Sequence, residues 1–243
     1  MSLISQRQIS LCILSLFLVS SNLEASMVTV TTDTGANGAD ARIRLSQANT
    51  NYGSSEFVSM QNDTTTSRKT YLRFDLSSIS SVTNATLFLT PTDNFAGSVT
   101  FNLYGLNDLD VGEGWGESTI TWNNAPANLV GSPSAVDTLR APLLGSFMFA
   151  GLSDGVSIAF TNTAIRDFVN SDSNNFLTFI LTRSNTGSSN LTFASKETLD
   201  AVPFPTLQVE TVPEPSSFLL LLSGLFALAF ACRLRSKPIV YSS

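Results

Sequence analysis

The chain contains no histidine. That removes Ser-His and Cys-His catalysis, histidine general bases and the usual zinc sites. Cysteine is nearly absent: Cys12 and Cys232 lie towards the two ends, so the long stretch between them has no disulfide available to it. Charge is sparse, and the basic sign is the scarcer, with 13 Lys and Arg against 19 Asp and Glu. Four of the basic residues (Arg7, Arg233, Arg235 and Lys237) are terminal, which leaves the middle of the chain clearly acidic. That balance argues against a nucleic-acid partner, and an anionic polymer would need a local arginine cluster to dock on. Tryptophan occurs only as Trp115 and Trp122.

Long apolar runs are confined to the ends. Arg7 is the only charge before the apolar residues 11–19, and Ala25 and Ser26 supply small residues for cleavage. Residues 1–26 are therefore expected to be a secretory signal peptide. At the other end, Pro213-Glu214-Pro215 precedes an apolar run of 17 residues, 216–232, and then Arg233, Arg235 and Lys237. Such a run just spans a bilayer core of about 30 Å at about 1.5 Å per residue. Basic residues on the C-terminal side alone place that end in the cytoplasm and the rest of the chain outside. Motif, helix and basic end in this order resemble the PEP-CTERM sorting signal of exported bacterial proteins. The resemblance implies recognition and cleavage by an exosortase, and membrane anchoring through a transmembrane sorting helix until then. The expected organisation is a signal peptide at 1–26, a domain at 27–211 and a sorting signal at 212–243.

The middle reads as short alternating segments separated by Gly, Asn, Ser, Thr and Asp. Strands are expected at 28–32, 41–45, 57–61, 70–76, 85–90, 98–106, 115–122, 156–160, 176–182, 191–194 and 206–210, with a weaker one at 136–139. Residues 127–149 otherwise read as irregular. The one helical spacing is at 163–170, where Ala164, Ile165, Phe168 and Val169 recur at three and four. The pattern predicts an all-β protein, a β-sandwich with a single domain. In the segment at 70–76, Leu72, Phe74 and Leu76 point one way, and Tyr71, Arg73 and Asp75 the other. Arg73 and Asp75 are expected to pair across the sheet surface.

Five stretches together resemble the DNRLRE domain, also classed as carbohydrate-binding module family 96. They are residues 49–54 (Asn-Thr-Asn-Tyr-Gly-Ser), 71–76 (Tyr-Leu-Arg-Phe-Asp-Leu), 85–89 (Ala-Thr-Leu-Phe-Leu), 115–126 (Trp-Gly-Glu-Ser-Thr-Ile-Thr-Trp-Asn-Asn-Ala-Pro) and 193–197 (Phe-Ala-Ser-Lys-Glu). The resemblance runs from about Val28 to Glu210, with residues 127–153 left unaligned. It implies a jelly-roll-type sandwich and non-catalytic sugar binding, in a family found beside enzymes that act on acidic polysaccharides such as alginate. The expected protein is a cell-surface or extracellular one that binds or organises extracellular polysaccharide, for example in a biofilm. A purely structural matrix or envelope protein is the alternative, and a polysaccharide-cleaving enzyme a remoter one.

Candidate ligand residues follow from their chemistry. An indole can lie on the apolar face of a sugar ring, and Trp115, set among glycines, is the better placed of the two. Trp122 alternates as a half-buried residue would. Glu117 can accept hydrogen bonds from hydroxyls, and Tyr52 lies in the family's Asn-Tyr-Gly loop. Arg42, Arg44, Arg68, Lys69 and Arg73 form the densest basic set, and Arg42, Arg44 and Arg73 would suit a uronic acid if they share a face. Asp108, Asp110, Glu113 and Glu117 are the nearest approach to a glycosidase pair, and no catalytic residue is assigned. No cofactor is required. Asp33, Asn37 and Asp40 offer oxygen ligands of the calcium type in one loop, a composition equally common in plain turns.

Overall fold

The computed structural model describes residues 25–79 and 81–211. The expected sorting signal at 212–243 and nearly all of the expected signal peptide at 1–26 lie outside these residues. Met27–Thr211 form one compact unit. Among the described residues no helix is long and apolar enough to cross a membrane.

The unit is all-β, with eleven strands: β1 (Ser26–Thr31), β2 (Ala39–Arg44), β3 (Phe57–Asn62), β4 (Arg68–Asp75), β5 (Val82–Leu89), β6 (Val99–Gly105), β7 (Leu143–Phe149), β8 (Ile158–Thr161), β9 (Phe176–Arg183), β10 (Gly187–Ala194) and β11 (Thr206–Thr211). Four strands form one sheet in the order β1-β11-β5-β8. Seven form the other, along the path β10-β3-β4-β9-β6-β7 with β2 also on β4. Sheet pairs such as β4 with β9 and β2 with β4 are antiparallel.

Alternation dictates the packing. Leu72 and Phe74 of β4, Phe101 and Leu103 of β6, and Phe179 and Leu181 of β9 face Leu87, Phe160, Leu207 and Val209 of the other sheet. All are essentially free of solvent. The single α-helix, α1 (Thr163–Ser171), packs Ile165, Phe168 and Val169 into this core. Asn162 caps it by accepting from the Ile165 N–H at 2.9 Å. Phe168 closes on Gly105, where a Cβ would come within 2.5 Å of its ring, so a larger residue there would have to displace Phe168.

A second apolar cluster covers the opposite face of the larger sheet. Ala39, Ala41 and Ile43 of β2, Tyr71 of β4 and Ile180 of β9 pack under Trp115, Ile120, Trp122, Ala125, Ala127 and Val136. These last come from the long connection between β6 and β7, which serves as a lid. Each indole removes about 150–250 Å² from water, a gross gain of about 4–6 kcal/mol before entropy. The lid is pinned by polar bonds. Tyr71 Oη donates to Pro126 O at 2.9 Å, and Trp122 Nε1 donates to Val130 O at 3.0 Å.

The expected strand at 115–122 does not form. Its backbone is a run of turns, with Ile120 N bonded to Gly116 O at 2.8 Å and Ala125 N to Thr121 O at 3.0 Å. Its alternation arises because a coiled lid dips every second apolar residue onto the sheet. The weak strand at 136–139 is reduced to one bridge, Asn128 to Val136. A strand appears instead at β7, in the stretch expected to be irregular. β7 is a sheet edge beyond β6 that turns Phe147 and Phe149 to the core and Ser146 and Met148 to solvent, and the apolar Met148 on the outer side hides that alternation in the sequence. Arg73 and Asp75 do not pair. Arg73 donates to the Asn37 carbonyl at 2.6 Å and the Trp115 carbonyl at 2.5 Å. Asp75 accepts from Asn37 Nδ2 at 3.0 Å and from the Ser77 N–H at 3.0 Å.

Candidate functional site

Alternation along β2 puts Asp40, Arg42 and Arg44 on the face opposite Ala41 and Ile43. Arg44 is directly opposite Arg68 of β4 in the register. The loop before β3 brings Tyr52 over the same place. The Arg42 guanidinium lies 4.2 Å from the Phe57 ring centre and 4.6 Å from that of Tyr52. It donates to Ser55 Oγ at 2.6 Å and to the Phe57 carbonyl at 2.8 Å, which holds its plane fixed. Arg44 donates to Gln47 Oε1 at 3.1 Å, and the Tyr52 hydroxyl donates to the same oxygen.

Among the described residues none of these three arginines has an acidic ion-pair partner. Arg44 Nε and Arg68 Nε and Nη1 have no hydrogen-bond partner. The guanidiniums therefore act on one another. Burial, aided by the charge of Arg68, pulls Arg42 down to about 10. Burial and the charge of Arg44 lower Arg68. A concentration of positive charge with no carboxylate in ion-pair contact suits carboxylates or sulfates.

Arg73 does not join this group. It lies on the outer face, 5.0 Å from the centre of the Trp115 indole, and Arg68 takes the place expected for it. Trp115 exposes only 7% of its surface, too little for a sugar ring to lie on. Its Nε1 donates to Thr178 Oγ1 at 3.1 Å, and Tyr71 meets it edge-on. Trp122 is buried beside Lys69. Both tryptophans thus hold the lid down.

Glu117 is close to the arginine shelf but engaged. Its Oε1 accepts from the Asp40 N–H at 2.7 Å, and its Oε2 is 2.7 Å from Lys196 Nζ. Asn51 Nδ2 donates to the Glu117 carbonyl at 2.7 Å and to the Ile120 carbonyl at 2.8 Å, which docks the Tyr52 loop onto the lid. Glu197 follows Lys196 in the chain, so the stretches at 49–54, 115–126 and 193–197 converge on one spot. Lys196 and Glu197 were not expected as site residues. Their only sequence signal was membership of the last of those stretches.

The expected calcium trio is dispersed. Asp33 is exposed, Asn37 bonds Asp75, and Asp40 is buried beside Glu117. Of the acidic group at 108–117, Asp108 and Glu113 come together beside Asp172, while Asp110 and Glu117 are drawn away by Arg140 and Lys196. Asp110 pairs with Arg140 at 2.5 Å, and Glu113, raised by burial, accepts from Asn174 Nδ2 at 2.6 Å. Asp108 accepts from Ser173 Oγ at 2.5 Å.

Residues 31–140 match the model of carbohydrate-binding module family 96. The match takes in four of the five stretches noted in the sequence. It stops short of the expected limit near Glu210, and it continues through half of the segment that could not be aligned. Residues 211–236 match the model of the PEP-CTERM protein-sorting motif. One region of the chain is thus similar to this carbohydrate-binding family and another to a sorting motif, and neither matched model describes a catalytic domain. No curated protein matches the chain.

Proposed function

We propose that this is an exported, non-catalytic protein whose jelly-roll-type sandwich binds acidic polysaccharide outside the cell. The observation that carries the reading is the shelf of Arg42, Arg44 and Arg68, three guanidiniums without a carboxylate partner in an otherwise acidic domain. A uronate carboxylate accepts paired N–H bonds from Arg44 and Arg68, and Arg42, fixed between two rings, supplies the next charge along the strand. The three half-buried side chains lie along one pair of strands, as suits one side of a long polymer. Export follows from the sorting motif, with the membrane as a partner before processing and an exosortase as the processing enzyme.

The test is affinity electrophoresis of the protein through gels containing alginate, a polyuronate, or a neutral glucan. Alginate should retard the protein, with a retardation that falls as salt rises. The double substitution Arg44→Ala, Arg68→Ala should abolish the shift, with circular dichroism checking that the fold is kept, since neither guanidinium has an ion-pair partner to lose. Free passage through every polysaccharide would leave a structural matrix protein. Release of oligosaccharides would identify an enzyme.

A further inference from the structure

Asp40, Glu117 and Glu197 each offer a carboxylate oxygen, and these oxygens lie within 4.8 Å of one another. One ammonium stands among them: Lys196 Nζ is 2.7 Å from Glu117 and 4.0 Å from Glu197. With all groups ionised, three negative charges face one positive charge. Asp40 exposes 1% of its surface. Its Oδ2 is satisfied, accepting from Thr32 Oγ1 at 2.6 Å and the Lys196 N–H at 2.9 Å. Its Oδ1 is buried with no hydrogen-bond partner, and so is Glu197 Oε2. A buried acceptor left unsatisfied is destabilising, the more so when it is charged.

From this geometry we infer that Asp40, Glu117 and Glu197 form a binding site for a hard divalent cation of the calcium class. Two orphaned carboxylate oxygens and a third carboxylate are the ligand chemistry such an ion takes, with water completing its shell. Lys196 is the internal cation when the metal is absent, and it leaves Glu117 when the metal enters. The inference is independent of sugar binding, since none of the three arginines takes part. A second acidic group, Asp108, Glu113 and Asp172, also has one buried unpartnered oxygen, Asp108 Oδ1, but its buried member, Glu113, already accepts two hydrogen bonds, so Asp108→Asn separates a rise arising there from one at Asp40.

The experiment uses the full chain in mild detergent, stripped with EDTA, with unfolding followed by the fluorescence of Trp115 and Trp122. Calcium at about 100 times its dissociation constant should raise the melting temperature by roughly 5–10 °C. Magnesium should do less, because it gives up its water reluctantly. Glu197→Gln and Asp40→Asn should each remove the rise, Lys196→Ala should lower the calcium concentration needed for it, and Asp108→Asn should leave it unchanged. Should Asp40→Asn fail to fold, Glu197→Gln carries the test, since its side chain is 26% exposed. No rise in either the parent or Lys196→Ala would overturn the site. So would a rise that persists in Glu197→Gln or vanishes in Asp108→Asn.

Discussion

Lys69 shows how far a residue's role depends on the face it is turned to. It adjoins Arg68 in sequence, yet it projects beneath the lid and is wholly buried. Its Nζ donates to Asn128 Oδ1 at 2.7 Å, to the Ala135 carbonyl at 2.6 Å and to the Ser132 carbonyl at 3.3 Å, with the Trp122 ring 4.6 Å away. None of these partners is an anion, and burial pulls the ammonium down to about 7 from 10.5. Between those values the unfolded chain binds the proton more tightly than the folded one. The cost is therefore fully present below pH 7 and relieved as pH climbs towards 10. Urea denaturation from pH 6 to 10 should show a stability that rises across this window relative to Lys69→Met, whose own profile lacks the Lys69 contribution. Lys69→Met also strands three acceptors, so the difference in slope is the readout rather than the absolute stability. Parallel profiles for the two proteins would show that Lys69 does not titrate there.

Among the elements, the lid between β6 and β7 does the most to set the site, and it was the least legible. Its residues were identified in the sequence by type, as a tryptophan stretch. Their geometry was not, because a turn-built lid over a sheet produces the same apolar alternation as a strand. Leu109 and Ala127 take left-handed backbone, with φ of 61° and 54°, which no regular strand contains. The Tyr52 loop docks on this lid without clearance. A Cβ on Gly53 would sit 2.0 Å from the Glu117 carbonyl oxygen and 2.8 Å from Glu117 Cγ. Gly53→Ala should therefore destabilise the protein by about 1–3 kcal/mol, the usual cost of overpacking, visible as a lower denaturant midpoint at unchanged slope. An unchanged midpoint would mean that the loop is free to lift off the lid.

For the whole molecule, residues 211–236 match a protein-sorting motif, which points to processing at that end. In the sequence Glu214 precedes Pro215, and a residue before proline favours extended backbone, the form a protease can hold. In a host that carries an exosortase, the mature protein should have lost residues from about 213–215 onward, as read by intact mass. Glu214→Ala should leave a longer, membrane-bound form. A mature protein still ending at Ser243 would leave an ordinary anchor.

Taken alone, the sequence determined the all-β class and the sorting motif. Period-two alternation in β4, β6 and β9 defined which side chains enter the core, because a strand's two faces are set by the chain itself. Helix α1 was legible for the same reason at its own period. The order of motif, apolar run and basic end at the C-terminus is linear information and needs no fold. Tertiary structure decided which of the charged residues meet. Arg42, Arg44 and Arg68 gather because β2 pairs with β4 in the register that sets Arg44 opposite Arg68. Arg73, one more member of the same basic set, is sent to the other face by that same alternation. Asp40, Glu117 and Glu197 are separated by long stretches of chain and are brought together only when the lid and the segment after β10 close on the edge of β2. Cross-strand register and loop docking arise from packing many segments at once, so no local pattern in the chain records them.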